Sequence, residues 1–77
     1  MSSLDPYLGF VDGASRSTWN VASAAWVLFD PNHRLVESGE IFLGPATNNV
    51  AEYSSVIGLL GAASALGISR LVVYMDS

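Results

Sequence analysis

The chain contains no cysteine and no lysine. Without cysteine, disulfides and thiolate metal sites are excluded. With only three arginines against seven acids, the formal charge is -4. That is not the basic footprint of a protein that grips nucleic acid through its phosphates. An acidic ligand would have to approach through bound cations or local dipoles. Charge of either sign is sparse, at 13% against about 25% in ordinary globular domains. No apolar run approaches the ~20 residues of a membrane span. The start, MSSLDPYLGF, lacks the basic end and apolar core of a signal peptide. These absences lead to the expectation of a soluble, intracellular protein of unassigned compartment.

What is present is apolar. Hydrophobic residues make up 51% of 77, a length that allows one domain, residues 1–77, at most. A chain this short buries only about 60% of its extended surface. More apolar residues than available core implies that some faces expect a partner, either another chain or more polypeptide.

The chemistry-bearing residues sit on a readable framework. YLGFVDG, Tyr7 to Gly13, reads as a strand with a turn behind it, and SRSTWN, Ser15 to Asn20, as a polar loop. VASAAWVLFD, Val21 to Asp30, is a second strand and PNH, Pro31 to His33, a turn. RLVESGEIFL, Arg34 to Leu43, is a third strand with Gly39 as a bulge position. Thr47 or Asn48 can N-cap the helix that follows, and Gly67 can end it. Val50, Tyr53, Ile57, Leu60 and Ser64 lie near one helical face, with Val56, Ala63 and Gly67 beside them. The helix is apolar over most of its circumference, which predicts burial on two sides. Gly58 and Gly61, with neighbouring alanines, offer a smooth packing surface. RLVVYMD, Arg70 to Asp76, is the final strand. The fold class is therefore α/β with a mixed sheet: an antiparallel meander of three strands, a crossover helix, and a fourth strand parallel to the first.

This topology gathers acids. Asp12 closes the first strand and Asp76 the last, so their ends are expected side by side, about 4.8 Å apart. Glu52 lies about one turn into the helix, whose N-terminal end sits over the same edge. Singly, each has a plain structural explanation: a strand-end Asp is usually a turn residue, and an early helical Glu complements the helix dipole. Together, three carboxylates repel one another unless something positive joins them. Hard oxygen donors at short range suit Mg²⁺ or Mn²⁺, and two such ions can promote phosphodiester hydrolysis.

FVDGAS at Phe10 to Ser15, ATNNVAEY at Ala46 to Tyr53 and LVVYMDS at Leu71 to Ser77 together resemble ribonuclease H type 1, especially its reverse-transcriptase-like members. The resemblance runs along nearly the whole chain but covers only the N-terminal half of that family's domain. It implies a ribonuclease-H-like fold without its C-terminal part. It also implies endonucleolytic cleavage of the RNA strand of RNA–DNA hybrids, with two Mg²⁺ (or Mn²⁺) ions held by Asp12, Glu52 and Asp76 and by the Gly13 backbone. Gly13 and Ser15 match positions that touch the RNA strand and its 2′-hydroxyls. Asn48 and Asn49 match minor-groove contacts, and Thr47 with Asn49 a DNA-phosphate contact. The chain departs from the family in RSTWNVAS, Arg16 to Ser23, where many relatives carry a Gly- and Pro-rich turn. Trp19 there could stack on a base or sugar, although loop tryptophans more often pack on their own domain. His33, in a hairpin turn, does not match the family's catalytic-site His. The family's later helices, fifth strand and fourth active-site Asp are not among these residues. The 77-residue chain alone is thus expected to be inactive or weakly active, and to self-associate through its apolar helix face and edge strand. Two other classes stay open: a non-catalytic binding or interaction module, and a metal-dependent nuclease of the same fold with another substrate.

Overall fold

The computed structural model describes residues 5–16 and 21–75, without the side chains of Ser15 and Arg16. Trp19 and Asp76 lie outside the described residues. Four strands and one helix follow the expected order: β1 Tyr7–Arg16, β2 Val21–Phe29, β3 Leu35–Gly44, α1 Asn48–Ala65 and β4 Leu71–Met75. The sheet order is β3-β2-β1-β4, with β1 antiparallel to β2 and parallel to β4. No helix among the described residues is long and apolar enough to cross a membrane.

The turn between β2 and β3 shows how local chemistry sets the sheet. Asp30 Oδ1 accepts from the backbone N–H groups of Asn32 (2.8 Å) and Arg34 (3.0 Å). This side-chain bracket lets the chain reverse through His33, whose φ is 65°. β3 then pairs along its length, but not with the expected irregularity. Gly39 is in regular register opposite Trp26. The register shifts instead between Leu28 and Phe29 and between Ala22 and Ser23, which leaves Val36 and Leu43 as the extra residues. Gly39 instead makes room for a ring. A Cβ there would lie 2.1 Å from the Trp26 indole, and one on Gly58 of α1 2.4 Å from the same ring. The indole is slotted between two glycines, and its N–H is buried without a partner among the described residues.

α1 begins at Thr47, whose Oγ1 accepts from Val50 N–H at 3.2 Å. It ends in a Schellman motif: Leu66 is the C-cap, Gly67 follows at φ 72°, and the N–H groups of Gly67 and Ile68 bond to Ser64 and Ala63 carbonyls. The face that meets the sheet is not the row of large residues. Ala51, Ser55, Leu59 and Ala63 are buried, while Tyr53 and Ile57 are each 70% exposed. The helix is therefore buried on one side, not two. Small residues win the inner face because α1 lies very close to β1; a Cβ on Gly9 would fall 2.4 Å from Leu59. Leu59, Leu28 and Val11 form the core, with Trp26, Val56 and Val73 against it.

Cross-strand partners share a face of the sheet, so the registers also describe the face that α1 leaves uncovered. Its rows are Val72–Leu8–Phe29, then Tyr74–Phe10–Val27, then Asp12–Ala25–Glu40. Phe10 stacks on Tyr74 with centroids 5.0 Å apart and meets Phe29 edge-on at 5.8 Å.

Candidate functional site

Asp12 does not close its strand. β1 runs on to Arg16 because β2 continues to pair with it, Asp12 with Ala25 and Arg16 with Val21. On the other flank, the described pairing with β4 runs as far as Val11 with Met75. This is the carboxyl end of the parallel pair, where open α/β sheets commonly bind ligands.

The pleat sets where each side chain goes. Gly9, Val11 and Gly13 face α1, as their contacts show. Asp12 therefore projects from the opposite face, and it is exposed. Gly13 brings the two elements together. A Cβ there would lie 2.4 Å from both the Ala51 carbonyl carbon and the Glu52 nitrogen. β1 thus touches the helix backbone at Glu52, one residue beyond Asp12. Glu52 is half-buried, and its carbonyl oxygen accepts from Ser55 Oγ at 2.6 Å. The crossover expected from the sequence delivers these two acids to the same end of the sheet.

Asp76, the third expected acid, lies outside the described residues. Among the described residues no group of three or more His, Asp or Glu side chains is assembled that could hold a metal ion. Asp12 and Glu52 form no ion pair or side-chain hydrogen bond among the described residues. In kind, their oxygen donors fit Mg²⁺ or Mn²⁺.

The helix start supplies the other half of the site. Thr47 and Asn49 are exposed there, and the first turn of α1 holds no acid. The leading N–H groups of a helix have no intrahelical partner, and the dipole makes that end positive. Such an end favours an anion such as a phosphate. Thr47 Oγ1 accepts the cap bond from Val50 N–H, and a hydroxyl in that role can still donate its own proton. Asn48, also exposed, belongs to the same turn. Ser15 continues β1 beyond Asp12, paired with Ala22, but its side chain is not described. His33 stands exposed in the β2–β3 turn, away from these residues.

Two residues go beyond the sequence-based expectation. Ser55 is fully buried on the inner helical face, where the sequence offers only a polar residue among apolar ones. Glu40 shares a row with Asp12 through Ala25, a relation that only the register reveals.

Both the sequence and the fold match known proteins. The family described as reverse transcriptase-like matches residues 10–77. Ribonuclease HI of Halobacterium salinarum is 38% identical over 68 residues, which are 88% of this chain and 34% of that protein. The N-terminal ribonuclease H domain of a Mycobacterium tuberculosis protein, solved as a fusion, superposes with a TM-score of 0.87 at 34% identity, covering 94% of this chain and 52% of that one. LC11 ribonuclease H1, solved in complex with an RNA/DNA hybrid, superposes at a TM-score of 0.83 and 27% identity, covering 92% and 54%. The chain thus spans about a third of the halobacterial relative and about half of the solved chains.

Proposed function

From the premise that this chain belongs to the reverse transcriptase-like family, with a ribonuclease-H-like fold, we propose that it carries the first part of a site for hydrolysing the RNA strand of RNA–DNA hybrids. The observation that carries this reading is the contact of Gly13 with the helix backbone at Ala51 and Glu52. It draws Asp12 and Glu52 to one sheet end, beside an anion-favouring helix start. The relatives named as ribonuclease H support the same reading, and one of them was solved with a hybrid.

In this proposal Asp12, Glu52 and Asp76, with the Gly13 carbonyl, hold two Mg²⁺ or Mn²⁺ ions. When bound, such ions supply positive charge to the attacking and leaving oxygens of the scissile phosphodiester. The chain's own residues do the positioning. Thr47, Asn49 and the first N–H groups of α1 hold a phosphate of the DNA strand, and Asn48 and Asn49 reach the minor groove. Gly13 and Ser15 lie against the RNA strand, where short side chains let the backbone approach the 2′-hydroxyls that distinguish RNA from DNA. The single negative charges of Asp12 and Glu52 repel the substrate until cations are bound, so activity depends on divalent metal.

The 77 residues alone are inactive or weakly active in this proposal. The test uses a labelled hybrid with Mg²⁺ or Mn²⁺; efficient cleavage by the chain alone, lost in Asp12→Asn, contradicts that statement. Cation binding is read separately, from melting temperature. A ligand at 100 times its Kd stabilises the folded state by about 2.7 kcal/mol, so Mg²⁺ raises the Tm of the native chain and not that of Asp12→Asn. A second reading is a non-catalytic binding module of the same fold, since fold alone does not fix activity. It requires hybrid binding that persists in EDTA. The exposed outer stripe of α1 and the outer edge of β4 also support self-association, which sedimentation reads directly.

A further inference from the structure

β3 is the outer strand of the sheet on the side away from β4. It is long for an edge, at 10 residues against about 5–6 for an average strand. An edge strand leaves a row of N–H and C=O groups unpaired, and proteins commonly blunt it with lysine, proline or a bulge. Between Leu35 and Gly44 there is no lysine and no proline. The two register shifts fall at the ends, and from Glu37 to Phe42 the ladder with β2 is regular. The side chains are apolar for an edge: Val36 is 42% exposed, Ile41 38%, and Phe42, at 81%, is the most exposed large apolar residue among the described ones.

The order of these side chains fits a second copy of the same strand. Two identical edges can meet antiparallel about a two-fold axis perpendicular to the sheet, which makes the contact self-complementary. Opposite residues share a face of the joined sheet, so the axis passes through a residue. A centre at Glu40 sets that carboxylate against its own copy. A centre at Ile41 sets Glu40 against Phe42. A centre at Ser38 sets Glu40 against Val36 and carries Phe42 past the end of the strand, to Arg34. The centre at Gly39 places Phe42 on Val36, Glu40 against Ser38 and Glu37 against Ile41. It covers the most exposed apolar side chain with an apolar one and sets no carboxylate opposite another.

We propose that β3 is the pairing edge for a second copy of this chain, joined antiparallel about Gly39 so that the two four-stranded sheets become one. Phe42 of each copy covers Val36 of the other at the two ends of the seam. The backbone groups left open between Val36 and Phe42 add about six hydrogen bonds. Asp12 and Glu52 are not on β3, and the two-fold axis turns the site ends of the two copies in opposite directions, so each stays open. A seam this small makes a weak, reversible dimer. Each copy carries a net charge of -4, so salt screens their repulsion and strengthens the pairing. This rests on strand register and exposure, not on hydrolysis, so loss of cleavage and loss of pairing are read independently.

Sedimentation velocity of the full chain over a range of concentrations reads the dimer. The expected result is a reversible monomer–dimer equilibrium that added NaCl shifts toward dimer. Phe42→Lys and Val36→Lys, with far-UV circular dichroism as the folding control, weaken it at least tenfold, whereas Ile57→Asp on the outer stripe of α1 leaves it unchanged. Crosslinking reads the register, because the chain has no cysteine of its own. Under a mild oxidant, Ser38→Cys and Glu40→Cys chains mixed together form a disulfide-linked dimer faster than either chain does alone. A monomer at every concentration overturns the proposal. A dimer that survives in folded Phe42→Lys and Val36→Lys, or that is lost in Ile57→Asp, overturns the choice of edge. Fastest crosslinking of Glu40→Cys with itself overturns the register.

Discussion

Replacing Gly13 by Ala tests the contact on which the site depends. The added methyl has no flexible neighbour to push aside: the Ala51 carbonyl carbon and the Glu52 nitrogen are both main-chain atoms, each 2.4 Å from the new Cβ. Ordinary contact begins near 3.4 Å, so β1 and the start of α1 must part by about 1 Å in an interior packed like a crystal. Overpacking of this kind costs about 1–3 kcal/mol, and a main-chain obstacle places Gly13 toward the upper end. The smaller conformational freedom of Ala in the unfolded chain returns about 0.4–1 kcal/mol. The net loss is about 2 kcal/mol, out of roughly 4–11 kcal/mol expected for a domain of this length. Urea denaturation followed by circular dichroism at 222 nm reads it directly. With a slope of about 1 kcal/mol per molar urea, the midpoint falls by roughly 2 M. The same displacement separates Asp12 from Glu52, so Mg²⁺ protection should fall by more than stability does. An unchanged or raised midpoint for Gly13→Ala would refute the close approach and the siting of Glu52 that depends on it.

Gly61 is the matched contrast: a Cβ there meets nothing within 4 Å, so Gly61→Ala raises the same midpoint through helix propensity, by about 0.5–1 kcal/mol. Leu59→Ala empties the fully buried centre of the core and costs about 2–5 kcal/mol, read by thermal or chemical unfolding. Asp30→Ala removes both bonds that bracket the β2–β3 turn and costs about 1 kcal/mol; in hydrogen exchange, the amides of Asn32 and Arg34 lose protection first.

Much of the framework is legible because it follows from punctuation and period. Pro31 to His33, Thr47 and Gly67 mark turns and caps by their own chemistry, and a helix between two apolar runs implies a parallel crossover. The crossover then forces Asp12 and Glu52 to one end of the sheet. Other features depend on partners that a single sequence does not reveal. β1 extends to Arg16 because β2 pairs with it, whereas the sequence shows only a polar stretch. Gly39 resembles a bulge because a strand glycine often is one; in fact it makes room for Trp26. The helix faces depart furthest from expectation. Size suggests that Val50, Tyr53, Ile57 and Leu60 mark the packing side, but the distance between α1 and β1 admits mainly small residues, with Leu59 lodged over Gly9. The direction in which Asp12 leaves its strand is likewise a matter of pleat phase, fixed by the contact of Gly13 with the helix.

The slot around Trp26 has a consequence for the order of assembly. The indole sits between Gly39 on β3 and Gly58 on α1, and each of those positions excludes even a methyl group. If β3 slid by two residues, the pleat would survive, but Glu37 or Ile41 would stand where Gly39 belongs. Their side chains would displace the indole, and the displaced ring would hold Gly58 away. α1 can therefore close onto the sheet only over a correctly aligned hairpin. Docking of the helix inspects the register of two strands before the ends of Asp12 and Glu52 are brought together, so a misaligned chain forms no site.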